Sequence, residues 1–174
     1  MEFRRIEHGS ADYRSELTLR KEVLLQPPGL DLGSENPDGE HCHFHFGLFD
    51  GTELVACCMV IPDGQGGGKL RQMAVAETRQ GAGIGRKLMV HVEKMLPTLK
   101  CSQIVLHARK EAMPFYDRLG YRISSDQFIE VEIPHYRMEK VLSPKDESAV
   151  IVLLGAPNEP DGTLSPIARQ RCER

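Results

Sequence analysis

Gln80-Gly81-Ala82-Gly83-Ile84-Gly85-Arg86 separates two stretches of different periodicity. Before it, Lys69 to Val75 reads as a strand. After it, Gly83 to Leu96 sets Ile84, Leu88, Met89, Val92, Met95 and Leu96 at helical spacing, with Arg86, Lys87, Glu93 and Lys94 opposite. Glycines let the backbone turn tightly and approach a ligand, and the first N–H groups of a helix lack intrahelical partners. The turn therefore suits a negatively charged group such as a pyrophosphate. Spacing separates the classes that use such turns. The nucleotide triphosphatase loop ends in Gly-Lys-Ser or Gly-Lys-Thr, whereas Gly85 is followed by Arg86 and Lys87. The dinucleotide fingerprint needs its third glycine one residue later and sits early in a parallel sheet.

Upstream, His41 to Phe49 alternates strictly, with His41, His43 and His45 on one face and Cys42, Phe44 and Phe46 on the other. Asp50-Gly51 is a hairpin signal, Leu54 to Ile61 the return strand, and Pro62 to Gly68 a second, glycine-rich hairpin leading into Lys69 to Val75. That makes an antiparallel meander. Further back, Glu2 to His8 reads as an edge strand and Ser10 caps a helix from Ala11 to Leu25 with Tyr13, Leu17, Leu19, Val23 and Leu24 as its apolar set. Gln26-Pro27-Pro28-Gly29 stops that helix, and Gly29 to Glu40 reads as a loop.

Downstream, Pro97 ends the helix of the glycine turn. Cys101 to Ala108 is a buried strand, Lys110 to Leu119 a helix closed by Gly120, Tyr121 to Ser124 a short strand, and Phe128 to Val141 a strand broken at Pro134. The class is α+β. Residues 1–141 form one domain and residues 142–174 a tail, partly disordered or docked as an extra strand at Ala149 to Leu154.

The chain has 174 residues and 22 Lys plus Arg against 25 Asp plus Glu, a net charge of -3, which argues against a nucleic acid or an anionic membrane as partner. Its five cysteines have no C-x-x-C spacing, so neither a disulfide framework nor a zinc ribbon is expected, and a reducing, cytoplasmic setting fits. The polar start MEFRRIEHGS is unlike a signal peptide. No metal is expected. His41, His43 and His45 could form a metal site, but same-face residues on a strand lie roughly 7 Å apart, so a polar face lining a cleft is the favoured alternative. Cys57 and Cys58 read as core.

Gln80-x-x-Gly83-x-Gly85, following Met73-Ala74-Val75, resembles the acetyl-CoA signature of the GNAT superfamily of N-acetyltransferases, and Ala112-Met113-Pro114-Phe115-Tyr116-Asp117-Arg118-Leu119-Gly120-Tyr121 resembles its second landmark. The resemblance implies a mixed sheet, an antiparallel meander followed by a βαβα unit that binds acetyl-CoA, with two splayed central strands. It also implies a transferase passing acetyl directly to an amine. On that basis Met73, Ala74 and Val75 pair with the pantetheine arm, and the backbone from Gly81 through Ala82, Gly83, Ile84 and Gly85 to Arg86 takes the pyrophosphate. Gln80, with Arg79 or Arg86, adds side-chain contacts. Tyr116 matches the tyrosine that protonates the departing thiolate, and a phenol protonated at neutral pH suits that role; the alternative is a packing tyrosine beside Phe115. The Val75 N–H is a candidate oxyanion donor.

Histidine is the natural general base because its ordinary pKa lies near neutrality. The run Phe128 to Met138 resembles the ending of ElaA-like members, which implies that His135 and Glu130 border the acceptor pocket, although Glu132 stands where that branch tends to have glycine. Leu19 to Leu24 resembles the helix that walls the acceptor side. Glu22, Asp31, Glu35, Asp38, Glu130 and Glu132 in these segments suggest a cationic amine, small or on a peptide. The expected assembly is a monomer or homodimer. The alternative function is a coenzyme A sensor or interaction module without turnover.

Overall fold

Asp50 faces Glu53 across a two-residue turn with Gly51 at φ 64°, so β2 (Phe44–Asp50) returns directly as β3 (Glu53–Pro62). This is the hairpin that Asp50-Gly51 encodes, because a left-handed residue matches the twist of the flanking strands. The computed structural model describes residues 1–24, 37–130 and 132–142. The expected helix stop at Gln26 to Gly29, most of the following loop and the tail strand at 149–154 lie outside the described residues. β1 (Glu2–Ile6) pairs antiparallel with β2 at the sheet edge, and β4 (Gly67–Val75) pairs antiparallel with β3. Asp63 fastens the β3–β4 turn, its Oδ1 accepting the N–H groups of Gln65 at 2.7 Å and Gly67 at 2.9 Å.

β5 (Gln103–Arg109) runs parallel to β4 after the crossover through α2 (Ile84–Met95), and β8 (Ile133–Val141) runs antiparallel to β5. β6 (Arg122–Ile123) and β7 (Phe128–Glu130) pair with β8. Among the described residues this gives an eight-stranded mixed sheet of order β1-β2-β3-β4-β5-β8-β6, the α+β arrangement expected. β3 is covered on both faces, which is why its sequence is a continuous apolar run. Val55, Cys58 and Val60 share a core with Leu88, Met89 and Val92 of α2. Cys57 and Leu54 share another with Tyr13 and Leu19 of α1 (Ala11–Leu24). No helix among the described residues is long and apolar enough to cross a membrane.

Three boundaries differ from the sequence reading. β2 begins only at Phe44, because His41 and Cys42 belong to the 3₁₀ turn Pro37–Cys42 and the His43 N–H closes that turn on the Glu40 carbonyl at 2.9 Å. The break expected at Pro134 falls earlier, at Glu132 with φ 60°; Pro134 is the second residue of β8, opposite Ile129, a strand-start position that needs no N–H. The helix expected over Lys110 to Leu119 is a 3₁₀ turn, Lys110–Ala112, followed by the short α3 (Met113–Asp117) with Pro114 in its first turn.

The histidine face is also resolved. His45 does not face a cleft: it is buried beneath α1 in a charged cluster with Glu16, Arg20 and Glu40. Ser10 caps α1 by accepting the Tyr13 N–H at 3.1 Å, and the helix then turns Tyr13, Glu16, Leu19 and Arg20 inward. Arg20 donates twice to Glu40, at 2.8 and 2.9 Å, and the Tyr13 hydroxyl donates to the same carboxylate at 2.8 Å. His45 Nδ1 meets Glu16 at 3.0 Å and Nε2 the Glu40 carbonyl at 3.3 Å. Both ring nitrogens face acceptors, the arrangement of an imidazolium. Two cations thus balance two carboxylates in a dry layer, where removal of one partner costs about 3–5 kcal/mol.

Burial pulls the His45 pKa down, but the hydrogen bond and charge of Glu16 carry it above its ordinary value. His45 therefore stabilises the fold fully below pH about 6.5, and that contribution is lost as pH rises through its raised native pKa. Half-buried His43, whose pKa burial lowers, gives the opposite slope, so a difference measurement isolates His45. Urea unfolding of wild type and His45→Gln from pH 5.5 to 8.5 is expected to show a destabilisation that is largest at the acid end and shrinks with rising pH. A constant difference would mean that the His45 pKa is the same in the folded and unfolded states, and one that grows with pH would mean that His45 is neutral in the fold.

Candidate active site

The two central strands part company at a defined residue. β4 and β5 pair from Gly67 with Gln103 to Leu70 with Leu106. Just beyond, the register between β3 and β4 shifts and Gln72 adopts φ 52°, a bulge that turns the rest of β4 away. His107, Ala108 and Arg109 of β5 stay with β8. The Ala76 N–H reaches the Val55 carbonyl at 3.0 Å, which makes Ala56 and Val75 a non-hydrogen-bonded pair. The Val75 N–H consequently points away from β3, into the wedge.

Two clefts open from this wedge. One, of about 470 Å³, is lined by Met73 and Val75 of β4, the glycine turn, and Phe115, Arg118 and Leu119 around α3. Gly81 and Gly83 both sit at φ 76°, Gly83 is the N-cap of α2, and the first helical bond runs from the Lys87 N–H to the Gly83 carbonyl. The N–H groups of Ile84, Gly85 and Arg86 are thereby left for a ligand at the positive end of the helix. The Gln80 side chain donates to the Val75 carbonyl at 3.1 Å, tying the turn to the strand. Arg79 is engaged by Asp50 at 3.0 Å and Glu53 at 3.6 Å, whereas Arg86 has no ion-pair partner among the described residues. Ala74 and Ala82 line neither cleft: Ala74 is buried toward α1 and Ala82 is exposed at the tip of the turn.

The other cleft, of about 510 Å³, is walled by Val23 and Leu24 of α1, Lys69 to Met73 of β4, Leu106 to Arg109 of β5, and Glu130, Ile133 and His135. His135 Nδ1 donates to the Ile133 carbonyl at 2.8 Å, which fixes the tautomer of the neutral ring with its lone pair on Nε2. His107 Nδ1 meets Glu130 at 2.7 Å. Burial would raise the Glu130 pKa, but the bond to His107 and the charges of His107 and Lys69 hold it below the usual carboxylate value. Burial pulls the Lys69 pKa down against the attraction of Glu130.

Met73, Gln80, Ala112 and Tyr116 border both clefts. The Tyr116 ring packs edge-on against Phe115 and Tyr121, and among the described residues its hydroxyl finds only the Met73 thioether, a weak acceptor at 3.6 Å. Burial raises the phenol pKa, so the hydroxyl keeps its proton at neutral pH. Tyr116 is thus both a packing residue and a donor held at the meeting point of the clefts.

Sequence reasoning missed Lys69, Arg71, His107, Arg109 and Arg118. Val105, His107 and Arg109 alternate with buried Ile104, Leu106 and Ala108 on β5, a period-two signal that marked one face of that strand. Of the six acidic residues behind the expected cationic acceptor, Asp31, Glu35 and the side chain of Asp38 lie outside what is described; of the other three, Glu22 and Glu132 are exposed and Glu130 is found in the cleft wall. Glu132 occupies left-handed backbone at φ 60°, the conformation for which glycine is suited at that position.

Residues 36–142 match the model of the acetyltransferase (GNAT) domain. An uncharacterised N-acetyltransferase of Bacillus subtilis, YjcF, is 32% identical over 124 residues, covering 70% of this chain and 87% of that protein. Solved structures with the same fold include Escherichia coli ElaA, with TM-score 0.62, 20% identity, and 80% of this chain and 98% of that one covered. An aminoglycoside 6'-N-acetyltransferase complexed with coenzyme A gives TM-score 0.67 at 18% identity, covering 84% of this chain and 100% of that one.

A Cβ at Gly85 would lie 3.1 Å from the Met73 methyl and 3.4 Å from Phe115, inside the smaller cleft. Gly85→Val is therefore expected to weaken acetyl-CoA binding at least about tenfold, or 1.4 kcal/mol, in isothermal titration, with circular dichroism unchanged. Unaltered affinity would mean that acetyl-CoA binds elsewhere.

Proposed function

The chain belongs to the GNAT acetyltransferase family and is an N-acetyltransferase, and from that premise we propose that it uses acetyl-CoA, with Tyr116 as general acid and His135 as general base. The observation that carries the reading is Tyr116, a protonated phenol bordering both clefts. A sensor without turnover has no use for a donor there.

The pyrophosphate lies in the turn from Gly81 to Arg86, where left-handed Gly81 and Gly83 and the start of α2 present N–H groups, with Arg86 beside them. Arg118, which lines the same cleft, is a further counter-charge. The pantetheine arm runs along the free edge of β4 from Met73 to Val75, and the thioester sits in the wedge. The acceptor enters the cleft between α1, β5 and β8. His135 Nε2 removes a proton from the amine as its nitrogen attacks the acetyl carbonyl carbon, and the Val75 N–H faces the oxyanion that forms. When the C–S bond breaks, the electron pair goes to sulfur and Tyr116 supplies its proton.

Two substitutions separate the roles. Tyr116→Phe keeps the ring and removes the proton, so kcat falls about 10²-fold or more while acetyl-CoA affinity stays within about twofold. Unchanged turnover would remove Tyr116 from the chemistry. His135→Gln lowers kcat/KM by about 10²-fold and abolishes the acid-side limb of the pH–rate profile; a variant that keeps the limb would exclude His135 as the base.

A further inference from the structure

Among the described residues, three basic side chains, Lys69, Arg71 and Arg109, line the larger cleft, against one carboxylate, Glu130. That carboxylate is already bonded to His107 at 2.7 Å. Arg71 and Arg109 have no ion-pair partner among the described residues. None of the three cations lines the smaller cleft, where Arg86 and Arg118 stand ready for the cofactor phosphates, so the coenzyme does not account for them. Unpaired cations in a concave wall raise the local concentration of anions, and guanidinium groups hold oxyanions in geometrically specific pairs.

We propose that the acceptor carries an oxyanion, a carboxylate or a phosphate, in addition to its amine, and that Arg71 and Arg109, with Lys69 beside them, form its subsite. The proposal deepens the acetyltransferase reading and rests on it for the identity of the cleft. It also has a chemical logic. A cationic wall disfavours an ammonium ion, so the acceptor is driven toward the free amine that attacks, while its oxyanion supplies the binding energy. Burial and the nearby Arg71 charge both act to lower the Lys69 pKa, and a bound oxyanion would offset them.

Matched probes decide it. O-Phosphoethanolamine against ethanolamine tests phosphate, and glycine against glycinamide tests carboxylate, each titrated calorimetrically into coenzyme A-saturated protein and each assayed for thiol release from acetyl-CoA. In at least one pair the anionic member is expected to bind at least about tenfold tighter than the neutral one, and Arg71→Gln/Arg109→Gln, checked for folding by circular dichroism, is expected to bring the ratio within about twofold. The phosphate and carboxylate arms tell which oxyanion is preferred. Equal binding of both members in both pairs, or a preference that survives in the double variant, overturns the subsite. Thiol release reports on the parent reading separately: neutral amines acetylated as well as anionic ones leave an acetyltransferase without this subsite. A binding preference without thiol release from any probe keeps the oxyanion subsite and counts against turnover.

Discussion

The parting of β4 from β5 just beyond Leu70 and Leu106 is the constraint on which the site depends. Parallel pairing up to that point holds the sheet together, and the bulge at Gln72 then redirects β4 while β8 keeps β5 in place. A fully paired sheet would consume the backbone groups of Met73 to Val75 and close both clefts. The wedge instead places unpaired backbone beside the glycine turn on one side and the β5–β8 side chains on the other. α3 then fills the junction with one aromatic ring, that of Tyr116.

Local chemistry was legible in the sequence wherever a few adjacent residues decide the structure. Asp50-Gly51 gave the hairpin, Ser10 the cap of α1, and the glycines at 81 and 83 their left-handed turn. What escaped was decided by distant partners. The apolar set of α1 carried no sign that Glu16 and Arg20 are buried; Glu40 and His45, from a turn and a strand, turn them inward. His107 read as the end of a buried strand, because nothing local reveals that β4 leaves its side there. Gln80, expected to contact a phosphate, also secures the turn to Val75, a bond that the motif did not announce.

Charge shows the same division. The acidic residues of the divergent segments suggested an acidic pocket, yet those of them whose surroundings are described mostly face solvent, while lysine and arginine from the sheet line the wall. Net charge is a sum over the surface, whereas a cleft samples only the faces that its strands turn inward. Alternation along β5 carries that information once the strand's neighbours are known.

The charged layer beneath α1 bears on the apolar rim of the cleft. Rotating a helix by one residue swings each side chain through about 100°. A purely oily inner face tolerates several such settings at similar cost, but a face carrying Glu16 and Arg20 does not, since any other setting strands four ionic groups among Cys57, Leu54 and Phe49. The ion cluster thus works as a key in a keyway. It admits one azimuth of α1, and with it one placement of Val23 and Leu24 at the far end, so the shape of a greasy wall is set by salt buried one to two turns away.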